Sequence, residues 1–216
     1  MCGILGYISE REQNIGEILL QGLKRLTYRG YDSFGFAFKT DSKIEVLKDV
    51  GDVEKLKELN FVGHVGIAHV RWATHGGVSK ANAHPHLSCD GSVAIVHNGI
   101  IENYEELRKF LERNGHRFTS ETDSEVVAHL IEEGLKEGKS PVVATRYAFK
   151  KLEGSFALAV LFRDYDLLVG ARRDSPLIVG LGNGEVFLSS DVIAFINHTR
   201  KAIYLEDDEM VVVRCE

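Results

Sequence analysis

The sequence is short of the features that would send its function elsewhere. It has three cysteines, Cys2, Cys89 and Cys215, an odd and widely spaced set with no Cys-x-x-Cys pair. That excludes a disulfide framework and gives no thiolate zinc signature. It fits a reducing, cytoplasmic setting in which a free thiol stays usable. Basic residues are outnumbered, 26 against 32 acidic, for a net charge of −6. No Lys/Arg-rich run is present, so a general nucleic-acid surface is not expected. The longest apolar runs, such as Ala157 to Phe162, are far too short to span a bilayer, and no membrane association is expected. The N-terminus lacks the basic start and long apolar core of a signal peptide. There is one tryptophan, Trp72, and there is no low-complexity stretch or internal repeat.

What is present is patterned. Cys2 to Ile8 reads as an apolar strand, followed by a polar break from Ser9 to Gln13. From Asn14 a helix is signalled by Ile15, Ile18, Leu19, Gly22, Leu23 and Leu26 at three- and four-residue spacing, ending near Arg29-Gly30. Phe34, Phe36 and Phe38 alternate with Gly35 and Ala37, a strand with one bulky face that pairs with Ile44 to Leu47 as a hairpin. Val53 to Leu59 suggests a short helix, and His64 to Trp72 and Ser92 to Val96 suggest strands. Glu102 to Arg113 is a helix. Thr122-Asp123-Ser124-Glu125 matches a capping box opening a second, and Pro141 opens a third that runs to about Leu152. From Ser155 to Val213 the pattern is mostly strands, with a short helix at Asp191 to Ile196 and a hairpin turn at Gly180 to Gly184. Strands come in antiparallel runs and helices in groups, which disfavours a doubly wound parallel sheet. The expected class is α+β, two antiparallel sheets packed face to face with helices outside, as a single domain over residues 1–216.

Cys2 stands directly behind the initiator methionine. If Met1 is removed, one residue carries both a thiol and a free α-amine, a nucleophile and its own base. A chain-terminal amine has a pKa of about 7.7–8.0, so part of it is neutral at working pH. On its own, an early cysteine is better explained by chance. Polar residues gather in four further places. Arg29-Gly30-Tyr31-Asp32-Ser33 is either a turn with a paired arginine or part of a site. Arg71-Trp72-Ala73-Thr74-His75-Gly76 offers an arginine able to clamp a carboxylate and a tryptophan that either caps a pocket or, as is commoner for a lone tryptophan, fills a gap in the core. Ala83-His84-Pro85-His86 places two histidines at alternating positions, and His69, His75 and His97 could complete a metal set. No ligand signature supports that, and no metal is expected. His97-Asn98-Gly99 is a turn signal, and also a pair of donors suited to an oxyanion. Asp123 is either a helix-terminus charge or an acceptor for an ammonium.

Taken together, Cys2-Gly3-Ile4, Tyr28 to Ser33, His69 to Gly76, Asn82 to His86, His97 to Asn103, Ser120 to Asp123, and Ser175-Pro176-Leu177 with Gly180-Leu181-Gly182 carry a resemblance over nearly the whole chain. The sequence resembles the class II glutamine amidotransferases, and within them the glutaminase domain of the glucosamine-6-phosphate synthases (glutamine–fructose-6-phosphate aminotransferases). The resemblance implies a four-layer α/β/β/α sandwich, the N-terminal-nucleophile hydrolase fold. It implies cleavage of L-glutamine to glutamate and ammonia without a cofactor. Cys2 would be the nucleophile, Asn98 and Gly99 the oxyanion hole, Arg71 the carboxylate clamp and Asp123 the ammonium acceptor. Thr74 and His75 would lie in the substrate loop, Trp72 over the thiol, and Arg29 and His84 would position the site.

Two departures stand out. Phe34 occupies a position where a small residue is expected, with altered packing under the site as the expected result. The sugar-phosphate isomerase half of the full synthases, which would accept the ammonia, is absent from the 216 residues. Open alternatives are the glutaminase of another class II amidotransferase, a different N-terminal-nucleophile amidase, and a silent glutamine-binding regulatory module.

Overall fold

The structure is a computed structural model and describes residues 1–214. Twelve strands and four α-helices are formed among them. The strands make a seven-stranded sheet, in the order β11 (Ala202–Tyr204), β9 (Ile178–Leu181), β10 (Glu185–Ser189), β1 (Gly3–Asn14), β4 (Val62–Arg71), β2 (Ser33–Lys39) and β3 (Ile44–Val50), and a five-stranded sheet, in the order β12 (Met210–Arg214), β8 (Leu167–Arg173), β7 (Gly154–Phe162), β6 (Val93–Ile101) and β5 (His86–Leu87). Every strand pairing within both sheets is antiparallel.

The two-residue period of each strand builds the layers. In β1 (Gly3–Asn14), Ile4 and Ile8 point between the sheets, while Leu5 and Tyr7 point outward under helix α1 (Ile15–Lys24). In β7 (Gly154–Phe162), Ala157, Ala159 and Leu161 face the other sheet. Phe156, Leu158, Val160 and Phe162 face α2 (Tyr104–Arg113), α3 (Glu125–Lys136) and α4 (Pro141–Lys151). A one-residue slip in either strand would exchange its two apolar faces, so three separate cores fix the register. The order of layers is α/β/β/α.

Several local expectations change. β1 runs on through the polar stretch to Asn14, because its backbone finds partners in β4 (Val62–Arg71) beyond a register shift and in the turn before β10 (Glu185–Ser189). The first helix stops at Lys24, and Thr27–Arg29 is a separate 3-10 turn. Val53–Lys55 and Val192–Ala194 are likewise only 3-10 turns. The Thr122–Glu125 capping box does not form. Glu125 turns back instead to accept from the backbone of Thr119 and Ser120 and from Ser120 Oγ, and the N-cap is Ser124 without a side-chain bond. His97-Asn98-Gly99 is not a terminal turn but lies within β6 (Val93–Ile101), paired to Leu158, Ala157 and Phe156.

Phe34 packs in the outer layer with Phe36 and beneath Lys55, in the core that α1 covers. Its bulk is taken up there, not under the site.

Candidate active site

The first residues of β1, the end of β4 and the end of β6 meet at one edge of the sandwich. Sheet pairing sets this for β1 and β4, since Gly3 faces Val70, and Asn98 of β6 reaches Cys2 from the facing sheet. Ser189 and Ser190 lock the entry of β1 from its other side. Ile4 N–H donates to Ser190 Oγ at 3.0 Å, and Ser189 Oγ donates to Ile4 O at 3.0 Å. The chain start is therefore held rigidly from Ile4 onward.

A cavity of about 380 Å³ opens at this edge. Cys2, Arg29, Arg71, Trp72, Thr74, His75, His84, Asn98, Gly99 and Asp123 all line it. These are the ten residues singled out by sequence, although they span 122 positions of the chain from Cys2 to Asp123. His97, Thr122, Ser124, Ser155 and the Asp174–Pro176 turn line it as well. The sequence offers His97 only as a metal ligand and Thr122 and Ser124 only as part of a helix cap, and it gives Ser155 and Asp174 no role. His97 and Ser124 adjoin assigned residues, which was a usable signal; Ser155 carried none.

Cys2 Sγ accepts from Trp72 N–H at 3.2 Å and lies 3.4 Å from Trp72 O. Burial raises the thiol pKa, against the lowering effects of the Trp72 amide, the chain terminus and Arg71. Among the described residues no imidazole or carboxylate is hydrogen-bonded to the sulfur. The thiol is therefore protonated at neutral pH and depends on a base from outside the side-chain set.

Asn98 is aimed at Cys2 from the facing sheet. Its Nδ2 donates to Cys2 O at 2.9 Å. Its Oδ1 is held by His69, whose Nε2 lies 3.0 Å from both Asn98 Oδ1 and His97 O. Two acceptors on one nitrogen require that nitrogen to carry the proton. His69 is fully buried and stacked on His84 with centroids 4.2 Å apart. Burial, against the bonds from Asn98 and His97, pushes its pKa down to about 3. His84 is held neutral by burial too, and its Nδ1 accepts from His97 N–H at 3.2 Å. A neutral imidazole stack thus sets the orientation of the Asn98 amide without adding charge beside the thiol.

Gly99 follows with φ +119°, and a Cβ there would lie 2.2 Å from Ser155 O. Only glycine fits this backbone. Gly35 fills a similar need under the histidines, where a Cβ would meet His84 O at 2.0 Å.

Arg71 is 3% exposed, yet it has no carboxylate partner among the described residues. Its guanidinium donates to the carbonyls of His75, Gly76 and Gly77 at 2.5, 3.1 and 3.1 Å. Three of five N–H groups are thereby used, which leaves donors for a bound anion. The same bonds shape the loop that presents Thr74 and His75. Asp32 supports that loop by accepting from Ala73 N–H at 2.8 Å. Asp123 is 3% exposed and accepts from Ile101 N–H at 2.8 Å. It too lacks an ion pair among the described residues. The cavity therefore holds one spare buried cation and one spare buried anion.

Arg29 reaches Tyr28 Oη at 3.1 Å and Ser190 O, so it braces the wall against the segment that locks β1. Trp72 is 45% exposed and meets Tyr31 edge-on, so its indole forms the rim of the cavity.

Two antiparallel sheets between helical layers, with a cysteine leading into the first strand at a polar edge, define the N-terminal-nucleophile class of fold. The solved structure of glutamine phosphoribosylpyrophosphate amidotransferase from B. subtilis shares it, with a TM-score of 0.83 over 99% of this chain and 47% of that one, at 24% identity. Within that class the glutamine amidotransferase domain family matches residues 69–197. The chain belongs to that family. Curated relatives named glutamine–fructose-6-phosphate aminotransferase (isomerizing) include those of Pyrococcus horikoshii, 50% identical over 99% of this chain, and Thermus thermophilus, 48% identical over 98%. The chain spans 36% and 35% of the length of those two relatives.

Proposed function

We propose that the chain hydrolyses the side-chain amide of L-glutamine through a thioester on Cys2. The observation that carries this reading is the Cys2 thiol beside an aimed Asn98 amide, in a cavity where Arg71 and Asp123 have no ion-pair partner among the described residues. A free α-amino acid carries both complementary charges. Its carboxylate is assigned to Arg71 and its ammonium to Asp123, while Thr74 and His75 complete the loop beside it.

The thiol needs a base, and no described side chain bonds to it. Removal of Met1 would place the α-amine on Cys2 itself, within reach of the sulfur directly or through a water. The amine takes the thiol proton and the thiolate attacks the amide carbon. Asn98 Nδ2 and the Gly99 N–H are assigned to the oxyanion, where one such donor is worth about 2.7–4 kcal/mol. The protonated amine then gives its proton to the departing nitrogen, and ammonia leaves. Water, with the amine again as base, opens the thioester and releases glutamate. Trp72, at the rim, is suited to limit water access while the thioester forms.

The named relatives support a further step, in which the ammonia is passed to fructose-6-phosphate by a sugar-phosphate isomerase domain or subunit. No helix among the described residues is long and apolar enough to cross a membrane. The reading places the protein in the cytoplasm, where a reduced thiol persists. The decisive test is glutamate release from glutamine by the chain and by Cys2→Ala. Turnover is expected to vanish while the circular dichroism spectrum is unchanged; turnover retained in the variant would end this reading.

A further inference from the structure

A second group of ligating side chains lies away from the cavity, at the outer edge of the five-stranded sheet. It joins three segments: the turn between β5 (His86–Leu87) and β6, the loop after α2, and the middle of α3. These contribute Cys89, His116, and the pair His129 and Glu132, with one ligating atom each, all within 4.8 Å of one another. His116, His129 and Glu132 are buried and Cys89 is exposed.

The distances have the form of a coordination shell. A tetrahedral zinc with bonds of about 2.0–2.3 Å places its ligand atoms about 3.3–3.8 Å apart. Cys89 Sγ lies 3.5 Å from His129 Nδ1 and 3.7 Å from His116 Nδ1. Glu132 Oε2 lies 3.3 Å from His116 Nδ1 and 3.5 Å from His129 Nδ1. The two Nδ1 atoms are 3.1 Å apart. Four atoms with lone pairs thus converge on one point.

A second, independent feature is the orientation of the rings. His116 Nε2 faces Glu133 Oε1 at 2.7 Å, and His129 Nε2 faces Glu125 Oε1 at 3.4 Å. A carboxylate behind each imidazole fixes the tautomer that turns Nδ1 inward, which is the outer shell metal-bound histidines generally have. Arg117 N–H donates to Cys89 Sγ at 3.2 Å and Cys89 N–H to Glu132 Oε2 at 2.9 Å, so the sulfur and the inward carboxylate oxygen are oriented as well. One thiolate, one carboxylate and two neutral imidazoles would balance a divalent cation.

We propose that Cys89, His116, His129 and Glu132 form a structural zinc(II) site. The Cys-x-x-Cys spacing that normally signals one is missing, and this replaces the expectation that the chain holds no metal. The ion would pin the middle of α3, the helix that Asp123 and Ser124 lead into, to the β5–β6 turn. Its effect is on stability, because no ligand lines the Cys2 cavity.

The test uses the whole chain stripped with a chelator and then titrated with cobalt(II) and zinc(II). One equivalent of cobalt is expected to give a thiolate-to-metal absorption band and tetrahedral visible bands, displaced by one equivalent of zinc. Cys89→Ser, an exposed change that leaves the core intact, should remove the thiolate band. Glu133→Gln keeps all four ligands but removes the carboxylate behind His116, and should weaken zinc by about ten- to a hundredfold. Zinc should raise the melting temperature of the unsubstituted chain and not that of Cys89→Ser. A band that survives in Cys89→Ser, or no stoichiometric binding to the unsubstituted chain, would overturn the proposal and leave the cluster a network of ion pairs.

Discussion

The two cysteine–histidine groups of this molecule are built from the same residue types and differ in what stands behind them. Around Cys2 the imidazoles of His69, His84 and His97 face backbone, an amide and a hydroxyl. Burial holds all three below the ordinary histidine pKa. Around Cys89 the imidazoles face Glu125, Glu132 and Glu133. Glu132 is held down to about 2 by bonds to His129, Lys136 and the Cys89 amide, against burial. The first group orients an amide without charging the site. The second gathers lone pairs and anions. Residue type does not distinguish a reaction site from a metal site; the partners of the outward ring nitrogens do.

The largest effect expected from this contrast is in paired substitutions. Cys2→Ala should abolish glutaminase turnover and leave cobalt binding intact, whereas Cys89→Ser should do the reverse. Any crossover would break the separation. Next is Asn98→Ala, which removes the amide that His69 orients. The kcat should fall about a hundred- to a thousandfold with little change in KM, the size of one lost oxyanion donor. An unchanged kcat would take Asn98 out of that role. Arg71→Lys should act mainly on KM for glutamine, because an ammonium cannot make the paired bonds of a guanidinium. Steady-state kinetics separate the two outcomes.

The smallest effect is on acid stability. Folded His69 stays neutral down to about pH 3, whereas an unfolded histidine takes a proton near about pH 6.5. Between those values the unfolded chain binds the extra proton, so stability falls as pH drops from about 6.5 toward 3. From pH 7 to 5 the loss should be about 2 kcal/mol per histidine held neutral. Urea unfolding at the two pH values measures it, and His69→Phe should remove one share of the slope.

The comparison also shows what a sequence can carry. The layers were legible because strand period and helix period write them locally. Phe34, Phe36 and Phe38 announced their bulky face, and they form the core under α1. The residues of the cavity were legible because each motif is contiguous. What was lost depended on distant partners. Asn98-Gly99 reads as a turn until β7 pairs with it through Ala157 and Phe156. Glu125 reads as a cap until Ser120 and Thr119 claim it. The Cys89 group has no contiguous motif, since Cys89, His116 and the His129–Glu132 pair lie on three separate segments, and only folding brings them together.

The central claim is that Cys2 acts with its own α-amine as base. The measurement that reaches it most directly is intact mass and glutaminase rate on the same samples, prepared with differing fractions of Met1 removed. The rate should rise in proportion to the fraction that has lost one methionine residue, and chain retaining Met1 should be inactive. Full activity in chain that still carries Met1 would contradict it, because the amine would then belong to the wrong residue.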